Sequence, residues 1–145
     1  MDFTIDIASP VSQVFALIAD LPNYPRWLPP SGLYASTTKV SDTPIKLGTT
    51  YEDGKRAKLR GSVTEFWPPD AISFHQEAQS FLGRLAIDIR YRLESTGTGT
   101  RVYRTTEPQF YGPVAVLRPM ILGSIRKENL RTLEMMKRHL EGATA

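Results

Sequence analysis

The chain has 145 residues, no cysteine, 41% apolar and 23% charged side chains, and a formal charge of +3. That length suits one domain spanning 1–145 with a core that needs no cross-links, and the lack of cysteine excludes disulfides, thiolate metal sites and cysteine nucleophiles while suiting a reducing cytoplasm. The basic residues are interleaved with acids, so their small excess reads as a solvated surface and no nucleic-acid partner is expected.

The N-terminal residues carry neither a basic leader nor an apolar run, so no signal peptide is expected. Phe3, Ile5 and Ile7 alternate with Thr4 and Asp6 at the period of a half-buried strand. Ser9 is then placed to cap a helix whose first residue would be Pro10, and Val11, Val14, Phe15 and Ile18 share one face of it. Pro22 should end this helix, because the residue before a proline avoids helical geometry. A second short helical turn is expected between Asn23 and Leu28, before Pro29 and Pro30 force the chain extended.

From about Gly32 to Glu107 the pattern is one of strands and tight turns. Asp53-Gly54 signals a two-residue hairpin turn, and Trp67-Pro-Pro-Asp70 breaks a ladder by removing two donors. Leu85, Ile87, Ile89, Tyr91 and Leu93 lie on one face of a strand whose other face carries Asp88, Arg90 and Arg92. One wet face and one buried face predict an antiparallel sheet. Residues 95–100 turn the chain into a last strand, Arg101 to Glu107. After Gly112-Pro113 the composition becomes helical, with Leu130, Leu133, Met136 and Leu140 as an apolar stripe, Pro119 and Gly123 marking a start or bend, and Gly142 a stop. From Met120 to Glu141 such a helix would measure about 33 Å. The longest apolar run, 114–123, is interrupted by Arg118 and Pro119 and falls short of the roughly 18 residues of a membrane span, so no integral membrane association is expected.

Several local words accompany this order of elements: Val11-x-x-Val14-Phe15-x-x-Ile18-x-Asp20, Tyr24-Pro25-x-Trp27, Val63-Thr64-Glu65-x-x-Pro68-Pro69, Gly99-Thr100-Arg101-Val102 and Met136-Lys137-x-x-Leu140-Glu141. Together they resemble the START-like helix-grip superfamily (SRPBCC), in its polyketide cyclase/dehydrase and lipid-transport branch. The resemblance implies an α+β fold: a curved antiparallel sheet of about seven strands around a long C-terminal helix, with two short helices after the first strand and a cavity between sheet and helix. A sheet curled around one helix leaves space that side chains cannot fill, and if that space is apolar it suits a small hydrophobic molecule.

On that architecture the expected cavity lining is Trp27, Tyr51, Phe74, Ile89, Tyr91, Phe110, Met120 and Ile121, with Arg104 as polar anchor and a mouth near Phe110 to Gly112. Tyr24 and Trp27 sit on a proline-stiffened segment at one end, although Trp27 as a plain core plug is an equal alternative. Alternation puts Glu65 with Leu59 and Val63, and Arg104 and Thr106 with Val102; the two charges could face the interior or reach solvent at strand ends. With the opposite parity Tyr103 faces in and Arg104 out. Arg104, Glu65 and Tyr91 are the candidates for any chemistry. His75 is expected opposite Ile72 and Phe74, and His139 in the last helical turn, where a cation favours the helix dipole. Neither has metal spacing, no phosphate-cradling glycine loop is present, and neither metal nor cofactor is expected. Arg84, Arg90 and Arg92, with Lys58 and Arg60, could attract an acidic partner from an outward face, or form an ordinary solvated surface.

Three functions remain open at this level: binding of a small hydrophobic or amphipathic molecule (lipid-, polyketide- or aromatic-like), a polyketide cyclase/dehydratase-type enzyme acting on such a ligand, or a protein-interaction module with an inert core. Self-association is left open.

Overall fold

The structure, a computed structural model, describes residues 1–30, 37–53 and 59–143. Seven strands run in chain order: β1 (Asp2–Ile7), β2 (Thr37–Thr38), β3 (Thr50–Asp53), β4 (Leu59–Trp67), β5 (Ala71–Ser80), β6 (Gly83–Ser95) and β7 (Thr100–Tyr111). Every neighbouring pair is antiparallel, in the order β1-β7-β6-β5-β4-β3-β2. The sheet curls around α2 (Arg118–Ala143), while α1 (Val11–Ala19) and a 3-10 turn (Leu21–Arg26) follow β1. This is the α+β helix-grip arrangement, and its core lies between the concave sheet face, α1 and α2.

Alternation decides which strand residues enter that core. On β6, Ile89, Tyr91 and Leu93 are buried while Asp88, Arg90 and Arg92 are exposed. Ile89 stands opposite Thr106, Tyr91 opposite Arg104 and Leu93 opposite Val102, so Arg104 faces inward and Tyr103 outward. Strand β7 runs past its expected end at Glu107 to Tyr111. Pro108 is tolerated there because β7 makes its last bonds on the β1 side at Thr106, to Met1, leaving an edge beyond with no ladder donor to lose.

Strand β4 carries a bulge: Val63 faces Phe74, but Glu65 faces Ser73, with Thr64 between them. One extra residue exchanges the two faces beyond it. Phe66 therefore turns inward against Phe15, ring centroids 5.7 Å apart, and Glu65 turns to the convex side.

The helices differ from expectation in detail. Pro10, not Ser9, is the N-cap of α1, and Ser9 Oγ donates to the Gln13 side chain at 3.1 Å instead of capping. Val14, Phe15 and Ile18 form the buried face as expected. The next turn begins at Leu21, two residues early, because Pro22 falls at its start, where a missing N–H costs nothing. Pro119 occupies the equivalent position in α2, which then passes through Gly123 and Gly142 to Ala143 without interruption. The buried face of α2 is Ile125, Asn129, Thr132, Leu133, Met136 and Leu140, and Leu130 is half-exposed, so a polar residue occupies the inward place expected for that leucine. The turn expected at Asp53-Gly54 lies partly outside the described residues; Asp53 itself pairs with Leu59.

Two contacts, linked by a bond within the helix, fasten the end of α2 to the start of the chain. Lys137 Nζ donates to the Asp6 carbonyl at 2.7 Å and to Glu141 at 2.8 Å, and Glu141 accepts the Ala8 N–H at 3.0 Å. Beside them Thr100 Oγ1 donates to the Ser9 carbonyl at 2.7 Å. Gly99 is required nearby, since a Cβ there would overlap the Ile7 carbonyl.

A candidate ligand-binding cavity

Between the concave face and α2 lies a cavity of about 150 Å³. Of the residues expected to line it, Tyr51, Phe74, Ile89, Tyr91, Arg104 and Ile121 do so. Leu21, Tyr24 and Leu28 close it from the α1 side, and Leu85 and Ile87 lie at the other end of the strands. Phe74 contacts Tyr51 and Tyr91 edge-on, with centroids 6.0 and 6.4 Å apart, which holds an aromatic floor in place. Gln76 donates to Tyr51 Oη at 2.7 Å.

The other expected lining residues lie elsewhere. Trp27 is buried but packs on Tyr24, with centroids 5.0 Å apart, and does not reach the cavity; the core-plug reading holds. Its Nε1 is the buried side-chain polar atom without a hydrogen-bond partner among the described residues. Met120 is 65% exposed on the outer side of the first turn of α2, where Ile121 is the residue that turns inward. Phe110 stands outside the cavity beneath the Arg118 guanidinium, 5.7 Å from its ring centre.

Polar groups converge at one place on the wall. Arg104 is 9% exposed. Its Nε donates to Asn129 Oδ1 at 2.6 Å, Nη1 donates to Tyr91 Oη, and the guanidinium carbon lies 5.0 Å from the Tyr91 ring centre. Asn129 is 1% exposed, and its Nδ2 donates to Thr106 Oγ1 at 3.0 Å and to the Ile125 carbonyl at 2.9 Å. Asn129 is thus the keystone that sequence reasoning missed. The available signal was periodicity: 125, 129, 133, 136 and 140 fit one helical stripe, with an asparagine among apolar residues.

Glu65 takes no part in the cavity. It accepts from Ser73 Oγ at 2.8 Å and pairs with outward-facing Arg90 at 3.5 Å. The carboxylate that does line the cavity is Glu128, held by both Nε and Nη2 of Arg131 at 3.2 and 2.8 Å. His139 is exposed. His75 faces outward, as expected, but between two carboxylates: Asp88 at 2.6 Å and Glu77 at 3.1 Å. Hydrogen bonds to both, Asp88 foremost, hold its pKa above the ordinary value. Among the described residues no cluster of three His, Asp or Glu side chains is arranged to hold a metal.

The outward arginines do not form a bare cationic field. Arg84 pairs with Glu77 at 3.4 Å, Arg90 with Glu65, and Arg92 stacks on Tyr103 at 4.3 Å; Lys58 lies outside the described residues. No described helix is long and apolar enough to cross a membrane.

A family profile described as polyketide cyclase / dehydrase and lipid transport matches residues 1–141. An uncharacterized protein of Mycobacterium tuberculosis (strain H37Rv) is 29% identical over 142 residues, covering 88% of this chain and 80% of that protein. Among solved structures, a conserved protein from Geobacillus kaustophilus superposes with TM-score 0.75 at 14% identity, over 98% of this chain and 95% of the other. The di-domain ARO/CYC StfQ of the steffimycin biosynthetic pathway superposes with TM-score 0.78 at 12% identity, over 99% of this chain and 51% of that one. At these identities the superpositions speak for the fold.

Proposed function

The chain belongs to the polyketide cyclase/dehydrase and lipid-transport family, and from that premise we propose that it binds one small amphipathic molecule in the cavity between sheet and α2. The observation that carries this reading is the composition of the wall. Aromatic and aliphatic side chains make up most of the wall, and Arg104, Tyr91, Asn129 and Thr106 meet at one place on it. An apolar hollow with a few convergent polar groups is the usual build of a small-molecule site, the groups fixing orientation and the apolar wall supplying affinity. In this reading 1–145 acts as one ligand-binding domain in the cytoplasm, a location that the lack of cysteine supports.

Size narrows the ligand. A hollow of about 150 Å³ is comparable to engineered protein cavities that take up a single benzene ring. A single ring or a short alkyl chain fits it; a longer chain would extend past the rim beside Leu85 and Ile121.

A carrier is favoured over a cyclase or dehydratase by where the acids and bases lie. Proton abstraction needs a base within hydrogen-bond reach of the reacting carbon. Glu65 and His75 are on the convex face, His139 is exposed, and Glu128 is engaged by Arg131. Arg104 and Tyr91 could hold an oxyanion, which is the feature an enzymatic role would use. An interaction module with an inert core is disfavoured by the unfilled interior.

The test is binding of a neutral single-ring probe, 4-fluorotoluene, followed by fluorine NMR, together with native mass spectrometry of protein purified from its own host. Saturable probe binding at one site per chain, reduced when Ile89→Trp fills the hollow, supports the reading. A wild-type protein that binds no probe and carries no co-purified molecule removes it.

A further inference from the structure

We propose that the ligand is an anion: a small apolar carboxylic acid, bound as its carboxylate against Arg104 with its ring or alkyl chain in the aromatic hollow. This rests on the binding reading above and names the chemical class it serves.

The argument begins with a count of donors and acceptors. A guanidinium has five N–H groups and accepts nothing. In Arg104 one is taken by Asn129 Oδ1 and one by Tyr91 Oη, which leaves three with no acceptor among the described residues. Tyr91, having accepted from Arg104, still has its own O–H to give. Thr106 accepts from Asn129 Nδ2 and likewise keeps its hydrogen. Asn129, by contrast, is used up: its oxygen faces Arg104 and its two N–H bonds go to Thr106 and Ile125. The cluster therefore ends in donors that face the cavity and lack a partner.

Charge gives the same answer. A guanidinium is a fixed cation, and a buried charge without a counter-ion is strongly disfavoured. Among the described residues no carboxylate lies within ion-pair distance of it. Glu128, the acid on the same cavity wall, is forked onto Arg131, which also donates to the Pro29 carbonyl at 2.7 Å. Asn129 occupies the position on Arg104 where an aspartate would close the charge internally. The vacancy for negative charge is thus left to a ligand.

The kind of anion follows from what surrounds it. Arg104 is the one cation on the described wall, so a phosphate dianion would remain half-neutralised in an apolar space. A planar monoanion matches the guanidinium fork with two parallel hydrogen bonds. Given about 150 Å³ for the rest of the molecule, a single-ring aromatic acid or an alkanoic acid of roughly six to eight carbons is the expected size.

The experiment compares isosteric acids and amides as competitors of 4-fluorotoluene at pH 7: 4-methylbenzoate against 4-methylbenzamide, and hexanoate against hexanamide. In the wild type each acid should bind at least ten-fold more tightly than its amide. Arg104→Met should erase that preference while the neutral probe still binds, and Arg104→Lys should keep part of it. Tyr91→Phe, a milder change, should weaken the acids several-fold and the amides less, since a carboxylate is the stronger acceptor. Equal affinities of acid and amide in the wild type, with the probe bound, overturn the anion assignment and leave the binding reading standing, as does a preference that survives Arg104→Met. A wild type that binds neither the probe nor any of the four competitors and carries no co-purified molecule overturns both.

Discussion

Gly61 is the position at which one methyl group tests the geometry of the cavity. It lies on β4 directly opposite Tyr51 of β3, whose ring crosses over it. A Cβ built on Gly61 would lie 2.6 Å from both Cε2 and Oη of Tyr51 and closer still to Cζ. Gly61→Ala therefore forces the tyrosine aside. The ring is 4% exposed and bounded on one side by Phe74, so the free direction is into the hollow. Moving it breaks the bond from Gln76 and the edge contact with Phe74. A hydrogen bond contributes about 1 kcal/mol, an aromatic pair about 1 kcal/mol, and overpacking adds about 1–3 kcal/mol, so a loss of about 3–5 kcal/mol is expected. Unfolding entropy is roughly 2.1 cal/mol/K per residue, which for 145 residues converts that loss into a melting-temperature drop of about 10–16 °C. Probe binding should fall with it, because a displaced tyrosine ring occupies much of a 150 Å³ space. Calorimetric melts and probe titration read both effects. Adding Gly61→Ala to a Tyr51→Ala background should cost almost nothing more, a coupling of at least about 1.5 kcal/mol. If Gly61→Ala alone melts within about 2 °C of wild type and binds normally, Tyr51 does not lie where the cavity requires it.

Asn129→Ala should destabilise by about 3 kcal/mol, because it leaves a buried charged donor without its acceptor, whereas Leu130→Ala next to it should cost about 0.5 kcal/mol, as half-exposed surface does; equal melting shifts would reverse the assigned face of α2. Trp27→Phe should cost about 1–2 kcal/mol in lost packing and leave probe affinity unchanged, since Nε1 has no bond to lose and the ring lies outside the cavity; a large affinity loss would restore Trp27 to the wall. For His75→Asn the pH dependence of the melting difference from wild type is the readout. His75 is raised above 6.5, so its contribution is full below that pH and disappears as pH rises through the folded value. Glu77 is lowered below 4.5, so its share is present above that pH and is lost as pH falls through its own folded value. The difference should be largest between pH 4.5 and 6.5 and fade at higher pH as His75 loses its proton; a difference that grows with rising pH contradicts the pairing.

How much of this was legible depended on whether a residue acts through its neighbours in sequence or across space. Alternation on β6 correctly predicted Ile89 and Tyr91 inward and Arg90 and Arg92 outward, because a strand without a bulge obeys period two over its whole length. The same reasoning failed on β4, where the bulge at Thr64 reversed Glu65; nothing in Val63-Thr64-Glu65 signals an extra residue, since the bulge is defined by the partner strand. Met120 was misplaced for a related reason. The sequence indicates a helix starting after Pro113, but the rotation of its first turn depends on how it packs against the sheet. That rotation brings Ile121 in and turns Met120 out.

The motifs that made the family readable explain why the ligand was harder to read. Lys137 and Glu141 clasp Asp6 and Ala8, Gly99 admits the Ile7 carbonyl, and Thr100 holds Ser9. Val14, Phe15 and Ile18 fill the core, and Trp27 plugs it. Each of these closes the grip and none touches its contents, so any chain that folds this way can carry them whatever it binds. Specificity must then reside in residues that closure leaves free, on inward positions of β6, β7 and α2. There the chain places a tyrosine, an arginine, an asparagine and a threonine, each a poorer core filler than leucine. A fold selected for stability alone would replace Arg104 and Asn129 together with apolar side chains of similar volume, and such replacements are commonly neutral or stabilising. Their joint presence, wired to each other and short of an acceptor, points to a cost that binding offsets.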